Sequence, residues 1–391
     1  WGTPYRLVRG KLRKATVDPY LENMSNMERI VDGLFPQHPE ETWSGCESDS
    51  ADEQSTYPLF TKEEVATAAR RISARKAPGP DCVPNAVVKR IATTDPQLLA
   101  AVYNACLQEG TFGTTWKRQR LVLIPKKKGA PPGPSAYRPL CMLDGAGKLF
   151  ERMLLQRLQS VLENETTGLS ERQYGFRPGR STIDAINRVV TKVRGAWQGS
   201  VRASSHAMLI ALDVRNAFNS ANWGLTVKAL IAKKTPAYLV KLIESYFTDR
   251  VLEYESGGEK RFRRVTAGVP QGSVLGPSLW NAMYDELLRL EMPDGVELVA
   301  FADDVAVIAA AKRPTQLQQV VEEALQTIQS WMDRVGLTLA AEKTEAVFFT
   351  RRRRLHPPRI AIDDFEVSFK REIRYLGVQI DDKLRFVRHA E

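Results

Sequence analysis

Two acidic sites, each set in or at the end of a strongly apolar segment, constrain this chain more than any other feature. Residues 207–214 (AMLIALDV) form a nearly continuous apolar run that contains Asp213 near its end. Residues 296–310 (VELVAFADDVAVIAA) form a longer run that contains Asp303 and Asp304. Such runs predict buried strands, and the second is long enough for a hairpin with both aspartates near its turn. If these strands are neighbours in one sheet, the three carboxylates converge.

Converging carboxylates point to a cation site. They repel one another and raise each other's pKa, so a fold that keeps them close needs cations to neutralise them. Carboxylate oxygen is the ligand that Mg²⁺ prefers, and a pair of such ions can clamp an in-line phosphoryl displacement. An Asp-Asp pair alone is more often a solvated turn, and Asp213 alone is no more specific. The metal site is therefore a hypothesis that depends on the neighbouring segments.

The composition favours a polyanionic partner. Lys and Arg number 56 against 46 Asp and Glu, which gives a net charge of +10 and a pI of about 9.4. Each phosphate that a cation neutralises releases condensed counterions, so this balance suits nucleic acid. A basic surface without such a partner is an equally good interpretation. With 391 residues, 43% of them hydrophobic, the chain can form two or three packed lobes.

Cysteine and histidine predict neither a metal site nor a disulfide framework, because none of them forms a closely spaced pair. They are Cys46, Cys82, Cys106, Cys141, His38, His206, His356 and His389. We expect reduced thiols in an intracellular protein. The sequence has no signal peptide and no apolar run of about 18 residues that could span a membrane. It begins with Trp1, so we expect a piece of a longer polypeptide.

Turn and capping residues divide the chain into predicted elements. Thr61 can cap a helix, and Ala77-Pro-Gly-Pro-Asp81 predicts a turn. Periodicity predicts helices at 145–165, 225–247, about 275–290 and 314–334, and strands at 119–125, from Tyr137 and within 337–350. Residues 1–56 are poorly patterned. Within them Pro36–Thr56 is acidic and predicts a linker, and the basic stretch Arg6–Lys14 is either a nucleic-acid contact or a solvated face.

The order of these segments resembles the reverse transcriptases of non-LTR retrotransposons, most of all the arthropod lineage that inserts in ribosomal genes or telomeric repeats. The resemblance covers roughly residues 58–380. Its motifs are Ala77-Pro-Gly-Pro-Asp81, Tyr137-Arg-Pro-Leu140 with Lys148-Leu-Phe-Glu151, Gln173-Tyr-Gly-Phe-Arg-Pro-Gly-Arg-Ser-Thr182, Leu212-Asp-Val-Arg-Asn-Ala-Phe218, Gly268-Val-Pro-Gln-Gly-Ser-Val-Leu-Gly-Pro277, Phe301-Ala-Asp-Asp304, Gly336-Leu-Thr-Leu339 with Lys343-Thr344, and Tyr375-Leu-Gly377. So many motifs in family order argue against a chance match.

The resemblance implies a metal centre and a sugar gate. Asp213 and Asp303 would be the main ligands of two Mg²⁺ ions, with Mn²⁺ as an alternative. Asp304 would add charge, and the Val214 carbonyl would complete the metal shell. Phe218 matches the steric gate, whose ring would clash with a 2′-hydroxyl and so favour dNTP over NTP. An ordinary core aromatic is the other interpretation of Phe218.

The resemblance also implies contacts to the nucleotide. Lys126 and Arg138 would contact the triphosphate, as a point charge and a bidentate donor respectively. Gln271 and Gly272 would lie beside the nascent base pair, where glycine permits close backbone approach. Lys343 would protonate pyrophosphate. A surface position for the lysines and a helix-entry turn for the loop are the alternatives.

Two further basic segments would contact nucleic acid. Gln173–Ser181 interleaves aromatic residues with Arg177 and Arg180, which suits a single-stranded template groove. A packed loop with both arginines exposed is the alternative. Arg351–Arg354 would suit the phosphates of a template–primer duplex, although such a run is commonly a solvated face.

We therefore predict an α+β right-hand polymerase. Its expected divisions are an N-terminal extension (1–56), fingers (57–200), a palm (201–350) and the end of the palm with the start of a thumb (351–391), with the polymerase domain at about 105–385. The expected activity is RNA-directed DNA polymerase, with an RNA template, a DNA primer and dNTPs as partners and no membrane. An endonuclease is expected elsewhere on the same polypeptide, and the expected place of action is the nucleus.

Two alternatives come from other functional classes. An intron-type maturase would carry a splicing domain after the thumb. A domesticated polymerase fold would bind RNA without incorporating dNTP, although its acidic residues would then have no need to be intact.

Overall fold

The structure, a computed structural model, describes residues 19–39, 57–126, 131–352 and 354–390. The chain forms two compact units, and each is discontinuous in sequence. Unit 1 comprises the described residues within 1–153 and 241–274, and unit 2 those within 154–240 and 275–391. Both units combine helices with mainly antiparallel sheets, so the predicted α+β class is confirmed.

The elements of the described residues are numbered here in chain order. The strands are β1 (Arg118–Pro125), β2 (Tyr137–Met142), β3 (His206–Leu212), β4 (Val251–Ser256), β5 (Glu259–Arg264), β6 (Val296–Phe301), β7 (Asp304–Ala311), β8 (Glu345–Phe349), β9 (Ala361–Ile362), β10 (Phe365–Glu366), β11 (Ser368–Lys370), β12 (Glu372–Tyr375) and β13 (Val378–Asp381). The helices are α1 (Pro19–Glu22), α2 (Met24–Leu34), α3 (Lys62–Arg70), α4 (Asn85–Thr94), α5 (Pro96–Glu109), α6 (Gly145–Leu162), α7 (Thr182–Ala196), α8 (Trp223–Ala232), α9 (Ala237–Phe247), α10 (Gly276–Arg289), α11 (Pro314–Val335) and α12 (Val387–Ala390).

Unit 1 is built on a four-stranded sheet in the order β2-β1-β4-β5. β1 and β2 form an antiparallel ladder that runs from the Arg120–Met142 pair to the Pro125–Tyr137 pair. β4 and β5 form a second antiparallel hairpin, and β1 runs parallel to β4. The sheet therefore joins a hairpin from the first half of the chain to one that lies more than a hundred residues later.

Unit 2 is built on a five-stranded sheet in the order β11-β8-β3-β7-β6. β3 is central and pairs antiparallel with both β7 and β8. Its residues after His206 are apolar, and two helices, α7 and α11, pack against it. The core on one face contains Val189 and Val193 of α7 together with Leu209 of β3, all fully buried. Burial on both faces explains why the strand appears in the sequence as a continuous apolar run rather than an alternating one.

Several predicted elements are confirmed. β1 and β2 are the two strands joined by a basic loop, and β6 and β7 are the predicted hairpin. Thr61 caps α3 through a capping box in which Glu64 donates its N–H to Thr61 and accepts from the Thr61 N–H in return. Helices α6, α10 and α11 lie where periodicity predicts them.

The prediction of one helix at 225–247 is wrong. The structure has two helices there, α8 and α9, separated at residues 233–236. Lys234 has a φ of 58° and so lies in the left-handed region, which ends α8. Pro236 has no N–H to continue a helix. The spacing of apolar residues does not reveal the break between α8 and α9, because both helices bury apolar side chains.

The predicted N-terminal extension contains helices that the sequence pattern does not predict. α2 buries Met27, Ile30, Val31 and Leu34 on one stripe and begins after Asn23, which accepts from the Asn26 N–H. The basic stretch Arg6–Lys14 and most of the predicted linker lie outside the described residues. Among the described helices, none combines the length and apolar character needed to cross a membrane.

Candidate active site

Asp303 and Asp304 lie at the tight turn of the β6–β7 hairpin. Phe301 pairs with Asp304 across the ladder, so Ala302 and Asp303 alone form the turn. Ala302 has a φ of 60°, in the left-handed region that residues with a Cβ rarely adopt. Positive φ at the first central position suits a two-residue hairpin turn, because it matches the twist of the flanking strands. This short connection holds both aspartates at one end of the sheet.

Asp213 lies at the same end, directly after β3. The last ladder pair between β3 and β7 joins Leu212 to Val305. The next residue of each strand is then Asp213 on one side and Asp304 on the other. The antiparallel register therefore brings together residues that are about ninety positions apart in the sequence.

Val214 and the backbone of Asp213 are fixed by a short antiparallel bridge to Leu339. In this bridge the Ala340 N–H donates to the Asp213 carbonyl at 2.8 Å. The following 3₁₀ turn carries Lys343, whose Nζ lies 3.0 Å from Oδ2 of Asp213. The main chain of Asp213 is thus held by this bridge, and its carboxylate forms a salt bridge with the ammonium group of Lys343.

The three carboxylates share one electrostatic environment. Burial raises the pKa of Asp303, and the negative charge of Asp213 raises it further. Burial, followed by the charges of Asp303 and Asp213, raises the pKa of Asp304 to about 6. Like charges shift a pKa in this way only when they lie close together. A divalent cation would relieve this repulsion.

The aspartates fit a divalent cation in ligand type and in charge, since hard carboxylate oxygens are what Mg²⁺ binds. They do not form a finished ligand shell. In the part of the chain that the structure describes, no three His, Cys, Asp or Glu side chains stand together in a geometry that could hold a metal ion. Binding would therefore require side-chain movement, including release of Lys343 from Asp213.

Phe218 lies in the 3₁₀ turn Ala217–Ser220, which follows Asp213 and Val214 in the chain. Its half-buried ring lies 5.4 Å from the ring of Trp280 and 6.1 Å, edge to face, from that of Phe176, centroid to centroid. The ring is therefore supported by aromatic packing and still partly accessible, as a sugar gate requires.

Two buried tyrosines, Tyr284 and Tyr375, interact electrostatically with the carboxylates; the sequence analysis did not name Tyr284 and named Tyr375 only as part of a motif. Burial, followed by the charges of Asp303 and Asp304, raises the pKa of Tyr284, and burial followed by Asp304 raises the pKa of Tyr375. Within the described residues, neither hydroxyl has a hydrogen-bond partner. Tyr284 stacks on Trp280 with centroids 4.8 Å apart. The i,i+4 spacing of Trp280 and Tyr284 on α10 is the signal that would have identified Tyr284.

The segment Gln173–Ser181 exposes its two arginines unequally, and its contact with a single-stranded template stays a prediction. Arg177 is only 8% exposed, and its Nη2 lies 2.6 Å from Oε2 of Glu163. Arg180 lies over the ring of Tyr174, 5.4 Å from the centroid. Arg177 is therefore an internal tie that nucleic acid cannot reach, and the expectation that both arginines are exposed is wrong.

The arginine run Arg351–Arg354 also makes internal contacts. Nη1 of Arg351 donates to the carbonyls of Trp197 and Gly199, both at 2.8 Å. Arg353 lies outside the described residues. A phosphate contact at Arg351 would compete with these two hydrogen bonds.

Lys126 and Arg138 lie on the β1–β2 hairpin of unit 1. Arg138 is exposed and faces Ile124 across the ladder, while Lys126 is exposed directly after β1. The Lys126 N–H donates to the Ala136 carbonyl at 2.8 Å, which closes the hairpin. The adjoining Lys127 and Lys128 fall outside the described residues. The two predicted triphosphate contacts therefore belong to one element.

Gln271 and Gly272 lie in a loop fixed against β2. The Cys141 N–H donates to the Gln271 carbonyl at 2.8 Å. Gly272 has a φ of 139°, and a Cβ on it would lie 2.3 Å from the Cys141 carbonyl oxygen. Only glycine fits this conformation and this close approach.

Glu151 anchors the same loop from α6. Its Oε2 accepts from the Ser273 hydroxyl at 2.5 Å and from the Val274 N–H at 2.6 Å. The Tyr246 hydroxyl donates to Ser273 Oγ at 2.8 Å. Both Glu151 and Tyr246 are buried. The loop is thus held by a buried carboxylate as well as by β2.

The predicted site residues divide between the two units. Unit 2 brings together the acidic centre and its neighbours, which are Asp213, Val214, Phe218, Asp303, Asp304 and Lys343. Unit 1 carries the predicted nucleotide contacts, which are Lys126, Arg138, Gln271 and Gly272. Their functional roles stay predictions.

The sequence matches a family profile described as reverse transcriptase (RNA-dependent DNA polymerase) over residues 124–380, well over half of the chain. The chain belongs to the reverse transcriptase family. The resemblance inferred from its motifs is confirmed, and the matched region contains every predicted site residue of this reverse transcriptase.

Relatives of this reverse transcriptase come from arthropod retrotransposons. It is 28% identical over its whole length to the retrovirus-related Pol polyprotein from type-1 retrotransposable element R1 of Bradysia coprophila, of which it spans 38%. It is 30% identical, over 86% of its length, to the RNA-directed DNA polymerase from mobile element jockey of Drosophila melanogaster, of which it spans 37%. The chain therefore spans little more than a third of these relatives.

Among solved structures, it is similar to apo telomerase from Candida tropicalis truncated from the C-terminal domain. The TM-score is 0.48 and the identity 12%, over 76% of this chain and 59% of the other.

Proposed function

We propose that this chain is the core of an RNA-directed DNA polymerase of a non-LTR retrotransposon. It would add dNMP to a primer 3′ end on an RNA template, with release of pyrophosphate. The observation that carries the proposal is the convergence of Asp213, Asp303 and Asp304 at one end of β3 and β7, within a chain of the reverse transcriptase family. The net charge of +10 supports nucleic acid as the partner.

Asp213, Asp303 and Asp304, with the Val214 carbonyl, would hold two Mg²⁺ ions, and Mn²⁺ would fit the same ligands. When bound, the ions would neutralise triphosphate charge and activate the primer 3′-hydroxyl for in-line displacement. The fold supports this role by fixing each aspartate on a strand end or a tight turn, which limits the reorganisation that binding needs.

Lys343 and Phe218 would act on the nucleotide. Lys343 would leave Asp213 when cations bind and could then donate a proton to the departing pyrophosphate. Phe218, supported by Trp280, would exclude a ribose 2′-hydroxyl and so select dNTP. Its partial exposure supports this role.

Four further residues are proposed to contact the nucleotide. Arg138 and Lys126 would bind the triphosphate, and the tightly held loop at Gln271 and Gly272 would position the nascent base pair. The proposed division is fingers at 57–200, palm at 201–350 and the start of a thumb after it. An endonuclease on another part of the polypeptide, and action in the nucleus, belong to the same proposal.

Primer extension by Asp303→Asn tests the proposal. Loss of a ligand should remove several kcal/mol of charge stabilisation, which corresponds to about a 10³-fold lower rate. The wild-type chain should extend a DNA primer on an RNA template and prefer dNTP to NTP. Asp364→Asn, at an exposed aspartate in the β9–β10 turn, is the matched control and should retain full activity.

The outcomes separate the proposal from its alternatives. Undiminished synthesis by Asp303→Asn would overturn the assignment of the acidic centre. RNA binding by the wild-type chain without any dNTP incorporation would instead favour a domesticated RNA-binding fold.

A further inference from the structure

Gln173 holds the turn that carries Asp303 through its side chain. Its Oε1 accepts from the Ala302 N–H at 2.9 Å, and its Nε2 donates to the Ala302 carbonyl at 3.3 Å. Oε1 also accepts from the Gly175 N–H at 2.9 Å. Gln173 is 0% exposed, so water cannot replace these bonds. A neutral amide offers a donor and an acceptor together, and here both are used on the backbone of one turn residue.

The backbone around Gln173 strengthens this contact. The Tyr174 N–H donates to the Ala300 carbonyl at 2.8 Å, and the Ala300 N–H donates to the Arg172 carbonyl at 2.9 Å. These bonds add a short parallel bridge between Gln173 and Ala300, the residue two before the turn residue Ala302. The loop is therefore docked on β6 by main-chain bonds immediately next to the side-chain contact.

The backbone at Gly175, two residues after Gln173, is also held in place. Nδ2 of Asn281, on α10, donates to the Gly175 carbonyl at 2.8 Å. A Cβ on Gly175 would lie 2.1 Å from the Ala302 backbone nitrogen. The glycine thus allows the loop backbone to lie directly against the turn, and Asn281 keeps it there.

Ala302 explains why the turn needs such support. Its φ of 60° is disfavoured for a residue with a Cβ and persists only where surrounding contacts determine it. Gln173 binds both polar groups of Ala302 and so selects this conformation. The conformation of Ala302 in turn sets the direction in which the next residue, Asp303, leaves the turn.

We propose that Gln173 is a positioning residue that orients Asp303 for binding of a divalent cation. It would touch neither the cation nor the substrate and would act only through the Ala302–Asp303 turn. This inference rests on the proposed function of the acidic centre. Partners that orient metal ligands from outside the ligand shell typically change metal affinity about ten-fold to a hundred-fold when they are removed.

Gln173→Met tests the role, because methionine keeps the volume and loses the hydrogen bonds. In the 391-residue chain we expect Mn²⁺ binding, measured by electron paramagnetic resonance, to weaken about ten-fold or more. The Mg²⁺ concentration for half-maximal primer extension should rise by the same factor, while the rate at saturating Mg²⁺ falls less. Gln119→Met is the matched control: Gln119 is 1% exposed, and its Oε1 has no hydrogen-bond partner among the described residues.

Rescue separates positioning from general destabilisation. Glycine adopts positive φ without strain, so Ala302→Gly added to Gln173→Met should restore several-fold of the lost cation affinity. A purely structural tie would instead give a lower unfolding temperature with unchanged cation affinity of the folded protein, and no recovery with the glycine. That result would overturn the proposal.

A second variant keeps the test decisive if Gln173→Met does not fold. Gly175→Ala leaves Gln173 in place but forces the loop away from the turn, and it should also weaken Mn²⁺ binding. Unchanged binding by both variants refutes the positioning role. If Asp303→Asn binds Mn²⁺ as tightly as wild type, the proposal that the acidic centre binds cations is refuted. If Asp303→Asn loses binding while the variants of Gln173 and Gly175 retain it, only the inference about Gln173 is refuted.

Discussion

Two short backbone segments of this reverse transcriptase adopt positive φ next to predicted site residues, and they are stabilised in different ways. In unit 2, Ala302 has a φ of 60° and is held by the buried side chain of Gln173. In unit 1, Gly272 has a φ of 139° and lies against the Cys141 carbonyl. At Ala302 a residue that disfavours positive φ is held there by Gln173, whereas at Gly272 glycine adopts positive φ without needing such a partner.

The difference shows which constraint dominates at each place. At Gly272 the limit is space, because no Cβ fits beside Cys141, and the residue type itself satisfies the conformation. At Ala302 a Cβ is accommodated, and the limit is conformation, which long-range hydrogen bonds must determine. Both constraints involve a residue more than a hundred positions away, Cys141 for Gly272 and Gln173 for Ala302, but only at Gly272 does the residue type itself mark the position.

The largest effect is expected for Gly272→Ala. The Cβ would meet the Cys141 oxygen and the backbone would be strained, so the loop should shift at a cost of about 3 kcal/mol. Urea denaturation should show this loss, and the KM for dNTP should rise. Gly257→Ala is the control, since Gly257 has a φ of 60° with open space around it and should cost only about 1 kcal/mol. Equal losses in the two variants would mean that φ, not space, is the constraint.

An intermediate effect is expected for Glu151→Leu. The variant leaves the part-buried Val274 N–H without its acceptor, which costs about 1–3 kcal/mol. Glu151→Gln retains one acceptor oxygen and should lose less. The KM for dNTP should follow the same order, with kcat less affected. If both variants bind dNTP like wild type, the loop is held by β2 alone.

The smallest effect is expected for Ala302→Gly in the otherwise wild-type chain. Relief of the positive φ favours the variant, while the greater freedom of the unfolded chain opposes it by about 0.4–1 kcal/mol. The two should nearly cancel, and the Mg²⁺ concentration for half-maximal extension should stay within about two-fold. A much larger rise in this Mg²⁺ concentration would show that the Ala302 methyl group itself contributes to the site. The contrast drawn here between Ala302 and Gly272 would then be wrong.

The sequence by itself determined the local features. Burial on both faces makes β3, β6 and β7 visible as apolar runs, and the aspartates that interrupt these runs are visible for the same reason. The cap at Thr61 depends only on Glu64, three residues later. Ordered motifs were enough to identify the family, because each records a local requirement.

Only the tertiary structure decided the pairing and the partners. Nothing in the pattern shows that β3 lies between β7 and β8, that Arg177 is buried against Glu163, or that α8 ends at Ala232 instead of continuing. The role of Gln173 is equally invisible, since an amide in a loop acquires it only by reaching Ala302. The spacing of apolar residues indicates which face of a segment is buried. It does not indicate which distant residues pack against that face, and these features depend on those residues.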